Sequence, residues 1–174
     1  MRIGLDGLFN KLSGRANKKE DRGNTPLYKA VKEGNLSKVK RLLDHGADPN
    51  IYNDHHLTPL HQAAYWGETE IVKLLLKHGA RTDLDNGRGW TALHSAAVSG
   101  GLKSRKEIID LLIGHGADLE KPDKNGWTPK DYMMIWEMNA EAAEKLKQYL
   151  AQADGLKPAV STPKKPSNIK TPKH

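Results

Sequence analysis

The chain reads as an all-α solenoid of stacked helix–turn–helix–loop units, and three marks sharing one period predict it. The first is a hexapeptide that recurs four times: Thr25-Pro26-Leu27-Tyr28-Lys29-Ala30, Thr58-Pro59-Leu60-His61-Gln62-Ala63, Thr91-Ala92-Leu93-His94-Ser95-Ala96 and Thr128-Pro129-Lys130-Asp131-Tyr132-Met133. Successive copies start 33, 33 and 37 residues apart. The second is His45-Gly46-Ala47-Asp48, His78-Gly79-Ala80-Arg81 and His115-Gly116-Ala117-Asp118, and the third is a lone glycine at 34, 67 and 100. Self-similarity at a fixed period of this length is the signature of a stacked-repeat architecture.

Each element follows from its residues. Thr25, Thr58 and Thr128 precede proline; the threonine caps a helix N-terminus, and proline in the first turn has no N–H to lose. A helix of about two turns follows and ends at Gly34, Gly67 or Gly100, which accept positive φ. A longer helix comes next, with one apolar stripe at i, i+3 and i+4: Val39, Leu42, Leu43; Ile71, Leu74, Leu75; Ile108, Leu111, Leu112. Gly46, Gly79 and Gly116 stand where a left-handed C-cap belongs, and His45, His78 and His115 sit at the negative helix end. The polar, turn-rich remainder, such as Asp83-Leu84-Asp85-Asn86-Gly87-Arg88-Gly89, reads as a projecting hairpin loop. The alanine pairs Ala63-Ala64 and Ala96-Ala97 let short helices approach their neighbours closely. No unit of this size buries its own stripe, so stability comes from adjacent units.

The ends are expected to differ from the middle. In the fourth unit Lys130 replaces the inward leucine, Met133 and Met134 the alanine pair, and Glu137 the interhelix glycine. A second helix remains, with Ala143, Leu146, Tyr149 and Leu150 on one face, and the unit reads as a C-terminal cap. At the other end, Leu5, Leu8, Phe9 and Leu12 suggest a short amphipathic helix over the open edge, weakened by Gly4 and Gly7. The expected organisation is a basic N-terminal segment over 1–24, a repeat domain over 25–151 (units 25–57, 58–90, 91–127 and 128–151) and a disordered Lys/Pro tail over 152–174.

These marks resemble the ankyrin-repeat family over residues ~20–151. The resemblance implies an ankyrin-type α-solenoid whose loops project as fingers. With the short helices, those fingers line a concave face that grips partner proteins. It implies that the imidazoles of His61 and His94 hydrogen-bond to the motif threonine and to neighbouring backbone; Tyr28 and Asp131 replace them in the outer units. Carried over by position, the candidate partner-binding residues are Tyr52, Asp54, His55, Tyr65, Trp66, Arg88, Trp90, Val98, Ser99, Lys124, Trp127 and Trp136. All four tryptophans of the chain lie in this set, and Trp, Tyr and Arg are the residue types most enriched at binding hot spots. Trp90 and Trp127 are open to two readings, partner contact or an indole packed along its own finger. Trp136 either caps the stack or meets a partner. Tyr65-Trp66 is the sharper candidate, because nothing in the scaffold demands two large aromatics at that turn.

Composition narrows the classes of function. The absence of cysteine leaves no disulfide framework and no thiolate metal site, and suits a reducing, cytoplasmic setting, with a nuclear protein or a bacterial effector delivered to a host cell as the other expectations. No apolar run approaches the roughly 20 residues a membrane span needs, and the N-terminus has no secretory h-region. The formal net charge of +7 sits at the ends: six Lys/Arg against three Asp/Glu in 1–24, and five Lys against Asp154 in 152–174. Thr162 and Thr171 in the tail resemble sites for proline-directed kinases, where a phosphate would subtract positive charge. Catalysis is not expected. Six of the eight histidines have scaffold or terminal addresses, and the His55-His56 pair lacks a third metal ligand at useful spacing. There is no phosphate loop, nucleophile elbow or carboxylate pair in a cleft. The expected function is a non-catalytic protein–protein interaction module without cofactor or metal, monomeric when unbound. The alternative is a polyanion binder whose basic termini contact nucleic acid or an acidic membrane.

Three departures from the period raise structural questions. His56 takes the finger position held by glycine at 23, 89 and 126, where positive φ would strain it, so this finger is expected to be differently shaped. The four extra residues Gly101-Leu102-Lys103-Ser104 are expected to lengthen the interhelix turn of the third unit. Pro49 is compatible with an edge hairpin.

Overall fold

A computed structural model describes residues 14–99 and 102–138. The helices are α1 (Pro26–Lys32), α2 (Leu36–Asp44), α3 (Pro59–Trp66), α4 (Thr69–Lys77), α5 (Ala92–Ala97), α6 (Leu102–Gly114) and α7 (Pro129–Met138). Residues 14–16 are also helical, and a short 3-10 turn, Asp21–Gly23, leads into α1. Among the described residues there is no strand, only an isolated antiparallel bridge between Asp85 and Thr91. The amphipathic segments around Leu5–Leu12 and Ala143–Leu150, together with the basic tail, lie outside the described residues.

The short helices α1, α3, α5 and α7 pack on one another in order, the long helices α2, α4 and α6 form a second row, and α1, α3 and α5 each pack on their own long partner. The apolar stripes meet between the rows. Leu27, Val39, Leu60, Ile71, Leu75, Leu93, Ile108 and Leu112 belong to one continuous core, while Leu42, Leu74 and Leu111 pack half-buried at its edge. Burying each such side chain is worth about 1.5–3 kcal/mol, and nearly all of that burial is made against a neighbouring helix. Ala63, Ala64, Ala96 and Ala97 are buried where short helices approach most closely.

The helix ends behave as their residues require. Thr25 Oγ1 accepts from the Tyr28 N–H at 3.1 Å. The glycines that close the long helices take φ of 81°, 82° and 83° at Gly46, Gly79 and Gly116. Beside two of them, His45 and His115 donate from Nδ1 to the carbonyls of Arg41 (2.7 Å) and Leu111 (2.8 Å), satisfying acceptors that the last helical turn leaves open.

The structure alters three local expectations. Most of the insertion goes into helix rather than turn: Leu102–Ser104 are helical, and α6 runs 13 residues against 9 for α2 and α4. The extra turn brings Ser104 against Gly67, and the buried Arg105 guanidinium donates from Nε to the Ser99 carbonyl at 2.9 Å. Pro49 is buried in a turn with Asn50, not in a hairpin strand. His56 keeps positive φ (57°) and its finger is not reshaped, the ring lying tilted against Tyr52 at 6.1 Å.

Two finger glycines of equal φ separate backbone conformation from crowding. At Gly89 (φ 76°) an added Cβ would stand 2.8 Å from the Asp123 Cα and 2.9 Å from the Pro122 carbonyl oxygen. At Gly87 (φ 75°) it would meet nothing within 4 Å. Gly87→Ala is therefore expected to cost about 1 kcal/mol, and Gly89→Ala at least about 2 kcal/mol, because only the second must also push a neighbouring finger away. Equal denaturation midpoints for the two variants would contradict the stacking of these fingers.

Candidate functional site

The fingers are built around one side-chain oxygen each. Asn53 Oδ1 accepts from the N–H groups of His55 and Leu57, both at 3.0 Å. Asn86 Oδ1 does the same for Arg88 (3.1 Å) and Trp90 (3.3 Å), and Asp123 Oδ1 for Asn125 (2.8 Å) and Trp127 (3.0 Å). A backbone bond closes each loop, from Asn53 N–H to Leu57, Asn86 N–H to Trp90 and Asp123 N–H to Trp127. Adjacent fingers join where Asp54 N–H donates to the Arg22 carbonyl (3.1 Å) and Lys124 N–H to that of Arg88 (2.8 Å). These organising residues went unremarked in the sequence, although each stands five positions before a motif threonine.

The two motif histidines tie helix to finger and unit to unit. His61 Nδ1 accepts from the Thr58 hydroxyl (2.8 Å) and N–H (3.2 Å), and its Nε2–H donates to the Trp90 carbonyl of the next finger at 3.0 Å. His94 repeats this with Thr91 (2.9 and 3.1 Å) and the Trp127 carbonyl (3.3 Å). A ring that accepts at Nδ1 and donates at Nε2 is neutral. Burial agrees: it pushes His61 down to about 4 and lowers His94 too, each against the partial opposition of its carbonyl bond. In the outer units, Tyr28 donates to Gln62 Oε1 at 2.7 Å, and Asp131 Oδ2 accepts from the Thr128 N–H and hydroxyl, both at 2.9 Å. Among the described residues, no three His, Cys, Asp or Glu side chains stand together as a metal site.

The predicted site residues divide into an outer and an inner group. Trp66 is 63% exposed and meets Tyr65 edge-on, with ring centroids 5.4 Å apart at 86°. Tyr65 is half-buried against a second apolar cluster formed by Ala97, Val98, Trp127 and Tyr132. Arg88, Lys124, Asp54 and His55 are exposed at finger tips. Tyr52 is half-buried, its phenol held above the ordinary range by desolvation first and by Asp85 second. Trp90 is also half-buried: its indole N–H donates to Ser95 Oγ at 3.0 Å, and its ring stacks on His94 at 5.3 Å and meets Tyr132 at 5.0 Å.

Three predicted contacts are corrected by their burial. Val98 (3% exposed) and Trp127 (7%) are inside the second cluster, and Ser99 (1%) is enclosed. The side chain of Trp136 lies outside the described part of α7. The residue that sequence reasoning passed over is Tyr132, at the centre of the cluster. Its hydroxyl donates to Asp123 Oδ2 at 2.8 Å, and its ring lies 5.5 Å from that of Trp127. The available signal was an aromatic at a repeat position where Lys29, Gln62 and Ser95 are polar.

Comparison with known families agrees with this geometry. A model of three consecutive ankyrin repeats matches residues 4–86, and a single ankyrin repeat matches residues 88–124. The chain belongs to the ankyrin-repeat family. Ankyrin repeats are in general protein–protein interaction modules, and proteins built from them are typically non-catalytic adaptors. No curated protein matches the chain. Among the described residues, no helix is long and apolar enough to cross a membrane.

The buried imidazoles make stability pH-dependent. Unfolded, His61 takes up a proton near its ordinary 6.5, whereas folded it resists until about 4, so between these values the unfolded chain binds more protons. The stability this neutral ring contributes is complete above about 6.5 and is lost as pH falls towards 4, about 3 kcal/mol in all. Denaturant midpoints measured from pH 7 to pH 4 should fall less steeply for His61→Asn than for the wild type. Identical slopes would show that the ring is not buried in its neutral form.

Proposed function

We propose that the chain is a non-catalytic binding module (an adaptor, inhibitor or effector) that holds a partner protein on the concave face of fingers and short helices, with Trp66 as its anchor. The observation that carries this reading is the indole of Trp66, left 63% exposed at the end of α3 while the scaffold's other requirements at that turn are met by Gly67 and Tyr65. A large apolar side chain held out in water beside rigid loops gains free energy when a partner covers it. Tyr65 and the outer part of Trp90 extend the apolar surface. Arg88, Lys124, Tyr52, Asp54 and His55 on the finger tips supply the polar rim.

Rigidity favours this use. Fingers closed by an internal Asx oxygen and joined across units lose little freedom on binding, so less interaction energy goes into ordering them. In this reading the module works as a monomer in the cytoplasm, and residues 152–174 are dispensable for partner capture. The opposite outcome, in which that segment alone carries binding and does so with steep salt dependence, would favour contact with a polyanion.

Trp66→Ala is the decisive variant. Tyr65 also packs on the second cluster, so replacing it mixes binding with stability. Trp66→Ala is expected to weaken capture of the cognate partner by about 2 kcal/mol, roughly 30-fold, as for other Trp hot spots. Its melting temperature should stay within a few degrees of the wild type. Wild-type affinity in a folded Trp66→Ala protein would remove the anchor and the concave-face reading with it.

A further inference from the structure

The concave face changes character along the stack at fixed positions of the repeat. Lys32, Tyr65, Val98 and Ile135 are equivalent residues, as are Glu33 and Trp66. The first unit therefore presents a cation where the second presents an aromatic ring and the fourth a half-buried isoleucine. The fingers follow the same trend. Lys19 and Arg22, both exposed, are equivalent to Tyr52 and His55 of the next finger. This first finger is part of the same array: besides the Asp54–Arg22 backbone bond, Asn17 Oδ1 accepts from the Asp48 N–H at 2.8 Å, as Asn50 Oδ1 does from the Arg81 N–H at 2.9 Å one unit on.

Of the acidic residues at this end, Glu20 and Glu33 are already engaged, whereas Asp21 and Asp54 stay exposed beside Arg22. Glu20 accepts from Lys29 Nζ at 2.5 Å, which holds its carboxyl below the ordinary range, and Glu33 pairs with Lys38 at 3.1 Å. The side chains of Lys19, Arg22 and Lys32 have no hydrogen bond or ion pair among the described residues. One end of the face thus offers uncommitted cations, and the stretch beginning a single unit away offers Trp66 and Tyr65.

We propose that this face is shaped for a partner protein segment that is acidic at one end and apolar at the other. Its carboxylates lie over the first finger and α1, and its apolar side chains lie against Trp66, Tyr65 and the units beyond. The inference rests on the concave-face reading above and adds the chemistry and polarity of the occupant. Helices in one row stand about 8–10 Å apart and an extended residue advances about 3.3 Å, so about ten residues span the four units. Charge argues against the chain's own C-terminal segment as occupant, since Lys157, Lys164, Lys165, Lys170 and Lys173 would face Lys19, Arg22 and Lys32.

Fluorescence anisotropy with labelled ten-residue probe peptides tests this on the full chain. One probe carries a Glu block joined to a Phe/Leu block, in both orders; a second replaces Glu by Lys; a third is Glu throughout. The acidic–apolar probe in its better order should bind at least tenfold tighter than either of the others. The double reversal Lys19→Glu with Lys32→Glu should weaken it about tenfold, and raising NaCl from 50 to 500 mM should shrink that difference. Equal binding of the Lys-containing probe would overturn the proposal, and equal binding of the all-Glu probe would mark a bare polyanion site. Sensitivity to Trp66→Ala with none to the charge reversal would sink the acidic specification while leaving the concave-face reading intact. Insensitivity to both would sink the two together. Circular dichroism melts accompany each variant, and both lysines are surface residues on which the fold does not depend.

Discussion

The constraint on which the rest of the structure depends is that each unit must be fastened to the next through a buried polar group. Apolar contact between helix rows supplies most of the stabilisation but is indifferent to small slips along the stack. The imidazoles of His61 and His94 remove that freedom. Each ring accepts from its own unit's threonine on one side and donates to the next finger's carbonyl on the other. Only a neutral histidine offers an acceptor and a donor on opposite edges of one small rigid ring. Burial keeps it neutral, and neutrality keeps the link intact.

The end units show what the ring is for. Tyr28 reaches the neighbouring helix at Gln62, while its own N–H takes the threonine cap. Asp131 reproduces the accepting half, taking the Thr128 N–H and hydroxyl. Because these bonds use the motif residues and the Asn or Asp of each finger, they leave the outermost finger side chains and Trp66 at the end of α3 without a part in the stack. Trp66, Arg88 and Lys124 stand exposed there, which is why the proposed binding face uses them. Trp90 shows the boundary between the two duties. Its carbonyl, indole N–H and ring face all serve the stack, so only its outer part remains for a partner.

The repeat period, the caps and the stripes were all legible, because each follows from a local rule applied to a few adjacent residues. Exposure was not, because it depends on what an adjoining unit lays over a position. Val98 and Ser99 occupy the places of Tyr65 and Trp66, yet both are buried. Around Val98 the second cluster draws on Trp127 and Tyr132 from later in the chain. At Ser99 the added turn of α6 places Arg105 on the serine's own carbonyl. Treating equivalent positions as equivalent surfaces assumes a uniform period, and the third unit, with its 37 residues, breaks that assumption. Tyr132 escaped notice for the complementary reason: its importance lies in bridging Asp123, Trp90 and Trp127, which no linear spacing displays.

That same break shapes the face available for binding. The extra turn of α6 sets Ser104 against Gly67, the residue immediately after Trp66, so the α3 turn has a wall on one side and open water on the other. A uniform stack would present four similar ledges, and a partner could register on any of them. Here the first carries Lys32 and Glu33, the second carries the exposed indole, and the third is closed over by Arg105 of α6 and by Trp127 and Tyr132. A segment bound across such a face has one favourable register. Apolar anchoring contributes affinity, while charge at one end contributes direction and speeds encounter. In the proposed binding mode, departure from the repeat is therefore what would let this surface distinguish one partner alignment from the next.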